Sequence, residues 1–323
     1  MRGFKITFYV LLITSLLVGC NQGKRTKIDN DSQVAAKRLL VTNADAFEML
    51  IGLGAAENII GVNDVSARRS FFDETQNWPL IGGDWRNPNI EAIINLKPDV
   101  AVVYTRWLDE SLEDKLKPFN ISVERLSCYY MSEYHSDISR LASLVGKETR
   151  ADTMIYDFDR IVELIKNSVA DIDVKKKIYF EYSDFTAMGA GSSSNEIVEL
   201  ANAINIAAKL EILYPKISTE WLLEENPDVI IKIIPSDTLT AEMHEKSIDR
   251  AGWNKLNAVK NGQIYLITPE LCAGPRAMIG SLYVAKWCYP EKFTSIDPDS
   301  IHTYWMKKYY GMSPEKFVYT FKM

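Results

Sequence analysis

From residue 37 onward, short apolar runs alternate with stretches whose apolar positions recur at helical spacing. RLLVT (38–42) reads as a strand and FEMLIGL (47–53) as a helix, started by Asn43 or Asp45 and ended at Gly54. Glu48, three residues after Asp45, completes a capping-box pattern. NIIGV (58–62) is a second strand, PNIEAIINL (88–96) a helix, and DVAVVY (99–104) a strand. The unbroken β-branched run in that strand suits a parallel sheet buried on both faces. SLEDKLKPFN (111–120) is a helix with a break and ISVERL (121–126) another strand. Between Gly146 and Gly189 there is neither Gly nor Pro. Within that window Met154, Ile155, Phe158, Ile161, Val162, Ile165 and Val169 fall on one face of a continuous helix. Beyond it KKIYFEY (176–182), DVIIKII (228–234) and GQIYLIT (262–268) are strands, MGAGSSS (188–194) a turn, and NEIVELANAI and TEWLLEEN helices. CAGPR (272–276) puts Pro275 in the first turn of an apolar, buried helix, AMIGSLYVAKWCY. DPDSIHTYWMKKYYG (297–311) is a final amphipathic helix ending at Gly311. Strand and helix alternating throughout predicts an α/β fold.

One phrase is written twice. NPNIEAIINLKPDVAVV (87–103) matches KISTEWLLEENPDVIIK (216–232), with Glu91 against Glu220, Pro98 against Pro227 and Asp99 against Asp228 at a constant interval. A Glu and a Pro-Asp-Val in the same helix-to-strand context point to two copies of one structural unit. The long helix falls between the copies, which makes it the connector. The chain then divides into an N-terminal lobe (37–146), a linker helix (147–170) and a C-terminal lobe (171–323).

Composition narrows the class. The chain has 323 residues, enough for two ordinary cores, with 47% hydrophobic and 25% charged residues, as in globular proteins. A net charge of −6 and the lack of a basic stripe give no reason to expect nucleic acid. Residues 1–19 differ from the rest: MRGFK is basic, ITFYVLLITSLLV apolar, and the run is too short for a stable span. Leu17-Val18-Gly19-Cys20 resembles the lipobox of bacterial lipoproteins, which implies acylation of Cys20 and a lipid anchor at the cell membrane, on its periplasmic or extracellular side. Residues 20–36 are a polar tether. Cys128, Cys272 and Cys288 match no metal or haem spacing and read as small buried apolar residues, with any disulfide pairing left open.

With two α/β lobes, one helix between them and a lipid anchor, the sequence resembles the helix-linked substrate-binding proteins of bacterial and archaeal ABC importers. Those proteins serve ferric siderophores, haem and cobalamin. The resemblance covers nearly all of the mature chain and rests on the order of RLLVTNADAFEMLIGLGAAENIIGV, NPNIEAIINLKPDV, GSSSNEIVELANAINIA and WNKLNAVKNGQIYLI. It implies two Rossmann-like lobes joined by a single long helix, with a ligand cleft between them. It also implies a permease dimer with ATPase subunits as partner, a transported iron chelate, haem or cobalamin as cargo, and no cofactor or catalysis. In that family one Glu per lobe docks into arginine pockets of the permease, a role that passes here to Glu91 and Glu220. A helical strut permits only small closure, and a preformed cleft suits a bulky, rigid ligand.

Ligands of open α/β sheets sit beyond the carboxyl ends of the strands. The candidates there are Asn43 and Asp45, Arg68, Trp85 and Arg86, Tyr104, Arg106 and Trp107, and Tyr129 in the first lobe. In the second lobe they are Tyr182, Phe185 and Arg276. YTRW, GGDWRN and GPR set Arg beside aromatic or ring residues at three strand ends, which suits an anionic, partly aromatic chelate. The three histidines, His135, His244 and His302, form no close pair, so bare zinc or manganese is disfavoured. Ferric coordination by Tyr129-Tyr130 or Glu181-Tyr182 stays open. An exported α/β hydrolase is the rival class. The chain has no G-x-S-x-G, H-E-x-x-H or Walker loop, and GAGSSSN lacks the P-loop Lys.

Overall fold

A computed structural model describes residues 37–64, 77–83, 86–106, 109, 111–236, 239–312 and 320–322. The expectations for the signal segment, the tether, Cys20, Arg68, Trp85 and Trp107 lie outside the described residues.

The apolar runs form two open sheets. The first half runs β1 (Leu39–Val41), α1 (Ala44–Gly52), β2 (Ile59–Val62), α2 (Ile90–Leu96), β3 (Val100–Tyr104), α3 (Leu112–Leu116), β4 (Ser122–Leu126) and α4 (Tyr134–Val145). Its four strands are parallel, in the order β2-β1-β3-β4. α5 (Glu148–Val169) follows as a helix of 22 residues. The second half begins β5 (Lys177–Ser183), β6 (Thr186–Ala187), α6 (Ser193–Leu200), β7 (Ile204–Asn205), α7 (Thr219–Glu225) and β8 (Val229–Ile233). It continues α8 (Ala241–Ile248), α9 (Asn257–Lys260), β9 (Ile264–Ile267), α10 (Ala277–Cys288), α11 (Pro298–Tyr310) and β10 (Thr320–Phe321). The second sheet is ordered β10-β9-β8-β5-β6, with β7 also on β5. Its interior pairs are parallel, while β6 and β10 are antiparallel.

α5 turns the face read from its periodicity inward. Met154, Phe158, Ile161, Ile165 and Val169 are buried, and Ile155 and Val162 pack at the margin of the same core. That core is continuous, from Leu39 and Val41 of the first sheet through α5 to Ile178 and Phe180 of the second. Arg150 of α5 donates to the carbonyls of Gly52 (3.1 Å) and Lys308 (2.9 Å). One guanidinium therefore satisfies orphan carbonyls at the C-terminal ends of both α1 and α11. Glu48 of α1 and Arg276, just before α10, form a second tie with Nε–Oε1 at 2.6 Å, and both side chains are essentially fully buried. Glu48 is thus an ion-pair partner across the halves, while Asn43 caps α1 through the Asp45 and Ala46 N–H groups and the Tyr104 hydroxyl accepts the Ala44 N–H at 3.1 Å.

The repeated phrase has a structural cause. Asn89 and Ser218 cap α2 and α7 from matched positions, and Lys97 and Asn226 end them in left-handed conformations (φ 50° and 46°). Each Asp then clamps the start of a neighbouring strand. Asp99 accepts the Arg38 N–H at 2.7 Å and donates its own N–H to the Arg38 carbonyl at 2.9 Å. Asp228 does the same with Lys177, at 2.8 and 2.9 Å. The pattern sets the register of β3 on β1 and of β8 on β5.

Some details differ from expectation. Pro275 lies in a 3-10 turn, Gly274–Arg276, that precedes α10. α4, α8, β6, β7 and β10 were not anticipated: α8 buries only His244 and Ser247, and the three strands have two residues each. Cys128, Cys272 and Cys288 are buried and unpaired.

Candidate ligand cleft

The carboxyl ends of the first sheet's strands gather the candidates, but not all in the expected role. Asn43 is fully buried and engaged at both ends of its amide. Oδ1 accepts the N–H groups of Asp45 and Ala46 at 3.0 and 2.9 Å, and Nδ2 donates to the Leu126 and Ser127 carbonyls. It is a cap and a loop tether rather than a ligand contact, because its donors and acceptor already have partners. Asp45 is 3% exposed and accepts from the Tyr104 hydroxyl at 3.2 Å. A Cβ on Gly274 would stand 2.6 Å from Asp45 Oδ1, so the C-terminal lobe seals this carboxylate. Arg276, expected at the ligand, is instead the cation of the buried pair with Glu48.

Tyr104, Arg106 and Tyr129 do come together. With Thr105, Ser127 and Tyr130 they line a pit of about 20 Å³, room for about one water molecule. The Arg106 guanidinium lies 4.8 Å from the centre of the Tyr130 ring, a favourable cation–π distance. Tyr129 and Tyr130 meet edge to face at 5.0 Å. Both reach the second lobe. The Tyr130 hydroxyl donates to the Gly191 carbonyl at 3.0 Å, and the Tyr129 carbonyl accepts from the Gly274 N–H at 3.0 Å. The Tyr129 phenol lies against Ser193 and Tyr214, and burial pushes it well above the ordinary tyrosine range. At neutral pH it is a neutral hydrogen-bonding group, not a phenolate. Exposed Tyr182 leans on Tyr214 with ring centres 5.5 Å apart. Tyr214 was not foreseen from the sequence, because it lies in coil before Pro215 rather than at a strand end.

Phe185 joins a different group. Its ring packs under Arg250 (4.7 Å) and edge-on to Trp253 (6.3 Å), in the outer core of the second lobe. Glu181 belongs there too, accepting from Arg250 at 2.6 Å and from the Phe185 N–H at 2.8 Å, so its carboxylate is engaged. Among the described residues no cluster of three or more His, Cys, Asp or Glu is arranged to hold a metal ion. Arg86 is exposed in the bend between Gly83 and Pro88. Glu91 and Glu220 are exposed in the first turns of α2 and α7. Glu220 is held below the usual carboxylate range by its own backbone N–H and by the Ser218 hydroxyl.

The chain is similar to a set of known binding proteins. It is 27% identical over 256 residues to YvrC, an ABC transporter substrate-binding lipoprotein of Bacillus subtilis, covering 76% of this chain and 78% of the relative. It is 23% identical over 310 residues to the molybdate-binding protein MolA of Haemophilus influenzae, covering 85% and 86%. The solved structure of MolA with molybdate superposes with a TM-score of 0.73, covering 85% of this chain and 93% of that one. The TroA-like periplasmic binding protein FepB of Veillonella parvula gives 0.74 at 20% identity, covering 89% and 95%. The family pattern described as periplasmic binding protein matches residues 39–271. Its members bind and carry ligands rather than transform them, which removes the hydrolase alternative. With two parallel-sheet lobes about one helix, and a family match over most of its length, the chain belongs to the periplasmic binding protein family.

Proposed function

We propose that this chain is the exported substrate-binding component of an ABC importer, anchored through Cys20, that captures a preformed anionic metal complex between its lobes. The cargo is an iron chelate such as a ferric siderophore, with haem and cobalamin as the alternatives. The observation that carries this reading is the convergence of Tyr104, Arg106, Tyr129 and Tyr130 from one lobe with Tyr182 and Tyr214 from the other. Aromatic faces suit flat organic surface, and a guanidinium suits the anionic groups of a chelate. Relatives described as cobalamin- or vitamin B12-binding, and a structure described as a periplasmic haem-binding protein, are in keeping with this class. Arg86 and, from the sequence alone, Arg68, Trp85 and Trp107 are further candidate ligand contacts.

A second reading has its own support. The Haemophilus relative is described as binding molybdate, and the Arg106 guanidinium suits an oxyanion as well as a chelate, so a compact oxyanion is the competing cargo. In either case Glu91 and Glu220 present one carboxylate per lobe to a permease dimer with its ATPase subunits.

Residues 21–323, purified and examined for visible absorption and metal content, test the proposal. Tryptophan quenching then ranks a ferric tris-catechol complex, haem, cyanocobalamin and molybdate. Saturable binding of one of the first three supports the chelate reading. Binding of molybdate alone selects the oxyanion, and no binding of any of the four rejects both.

A further inference from the structure

The segment between β4 and α4, Ser127–Tyr130, is a strap that carries much of the cleft floor. Asn43 grips it from one side, through the Leu126 and Ser127 carbonyls at 2.9 and 3.3 Å. Asp137 of α4 grips it from the other, accepting the Cys128 N–H at 2.6 Å and facing the Cys128 thiol. Cys128 is fully buried and sits at φ +51°. A residue with a side chain keeps that left-handed conformation only where its surroundings hold it. The next two residues then enter the floor and reach the opposite lobe, at Gly274 and Gly191.

We propose that Asp137 is a positioning residue for ligand binding: by holding Cys128 in its left-handed conformation, it sets Tyr129 and Tyr130 in the cleft floor and against the C-terminal lobe. The importance of that floor rests on the proposed function, whereas the strap can be measured with no ligand present. Asp137 itself is 7% exposed and lies outside the set that lines the pit.

The charges around it make the hold sensitive to pH. Burial pushes the Asp137 carboxyl up to about 6, against the opposing pull of the Cys128 donors, and Glu133, one turn earlier, adds to the rise. Asp45 of α1 faces the Cys128 thiol. On α4, Arg140 is paired with Glu124 of β4 at 2.7 Å, and His135 with Asp159 of α5 at 2.8 Å. A buried carboxyl with a raised pKa binds its proton more tightly than it does when exposed, so protonation favours the closed strap. That support is complete below the ordinary carboxylate range and is lost as pH rises through about 6. Between pH 5 and pH 7.5 the closing equilibrium weakens about tenfold.

Hydrogen-exchange protection of the 127–130 amides, in the mature chain and in Asp137→Asn and Asp137→Ala, tests the assignment. Asn keeps an acceptor and is neutral, like the protonated acid; Ala has no acceptor. The expected order of protection at pH 7.5 is Asn above wild type above Ala, with each step about tenfold or more. The wild-type protection falls between pH 5 and pH 7.5, and that of Asp137→Asn stays level. Affinities for ferric tris-catechol, haem, cyanocobalamin and molybdate follow the same order for whichever of them the wild type binds. Equal protection in wild type and Asp137→Ala, or a pH slope retained in Asp137→Asn, overturns the assignment. So does altered protection with unaltered affinity. If Asp137→Ala does not fold, the Asn variant decides through its pH slope. Failure of all four probes to bind wild type sinks the proposed function, while the protection factors still decide the strap.

Discussion

The two copies of Pro-Asp-Val agree at one end and part at the other. Where β3 and β8 begin, the copies share a capped helix, a left-handed ending and an Asp clamped to a neighbouring strand, at nearly equal distances. Where they end, nothing is shared. β3 runs out through Tyr104 to Thr105 and Arg106, which line the pit with Ser127, Tyr129 and Tyr130. β8 carries the buried Ile233 at the position matching Tyr104. Its Lys232 enters the network of Asp184 (2.7 Å), Glu181 and Arg250. The leading ends must set sheet register in both lobes, and that demand keeps their chemistry alike. The trailing ends are free of it, and one copy has turned toward the cleft while the other built an internal ion network.

Four variants bear on this comparison, in falling order of their effect on folding. Glu48→Ala removes the carboxylate that faces the buried Arg276 guanidinium, at a cost of about 3–5 kcal/mol. Because one core runs through both lobes, denaturant is expected to unfold wild type and variant in a single transition; two separated transitions would make the copies independent domains. Asp99→Ala and Asp228→Ala each lose a charge-assisted bond to a backbone N–H at a partly solvated site, about 1 kcal/mol apiece. Equal losses sharpen the equivalence of the leading ends, and a loss in only one breaks it. Reversing both Glu91 and Glu220 to Lys changes stability least, since exposed helix-end charges are screened. Transport by the assembled importer is expected to stop while affinity measured on the free protein stays put; weakened affinity would move these residues from docking to the cleft.

Much of the fold was legible because it follows from periodicity. The long helix showed its buried face directly, and the strands of both sheets appeared as β-branched runs. Some of what escaped was short or polar, such as α8 and the two-residue strands, where pairing with distant chain rather than local pattern decides the structure; α4 escaped although Tyr134, Ile138, Leu141, Ala142 and Val145 mark its buried face at helical spacing. The candidate site was legible as a meeting of strand ends more than as a list of contacts. Tyr104, Arg106 and Tyr129 meet as their strand-end positions suggested. Asn43 and Arg276 lie in the same zone, yet their polar atoms are bound by partners 83 and 228 residues away in sequence, which no local pattern discloses. Tyr214 arrives from irregular chain and had no signal at all.

Arg150 has the geometry of a keystone. It stands on α5 and joins the end of α1 to the last turn of α11, so a displacement of one helix end against the other strains the same cation. The two helix ends are thereby coupled through a single side chain, and any motion that separates them has to break at least one of its bonds.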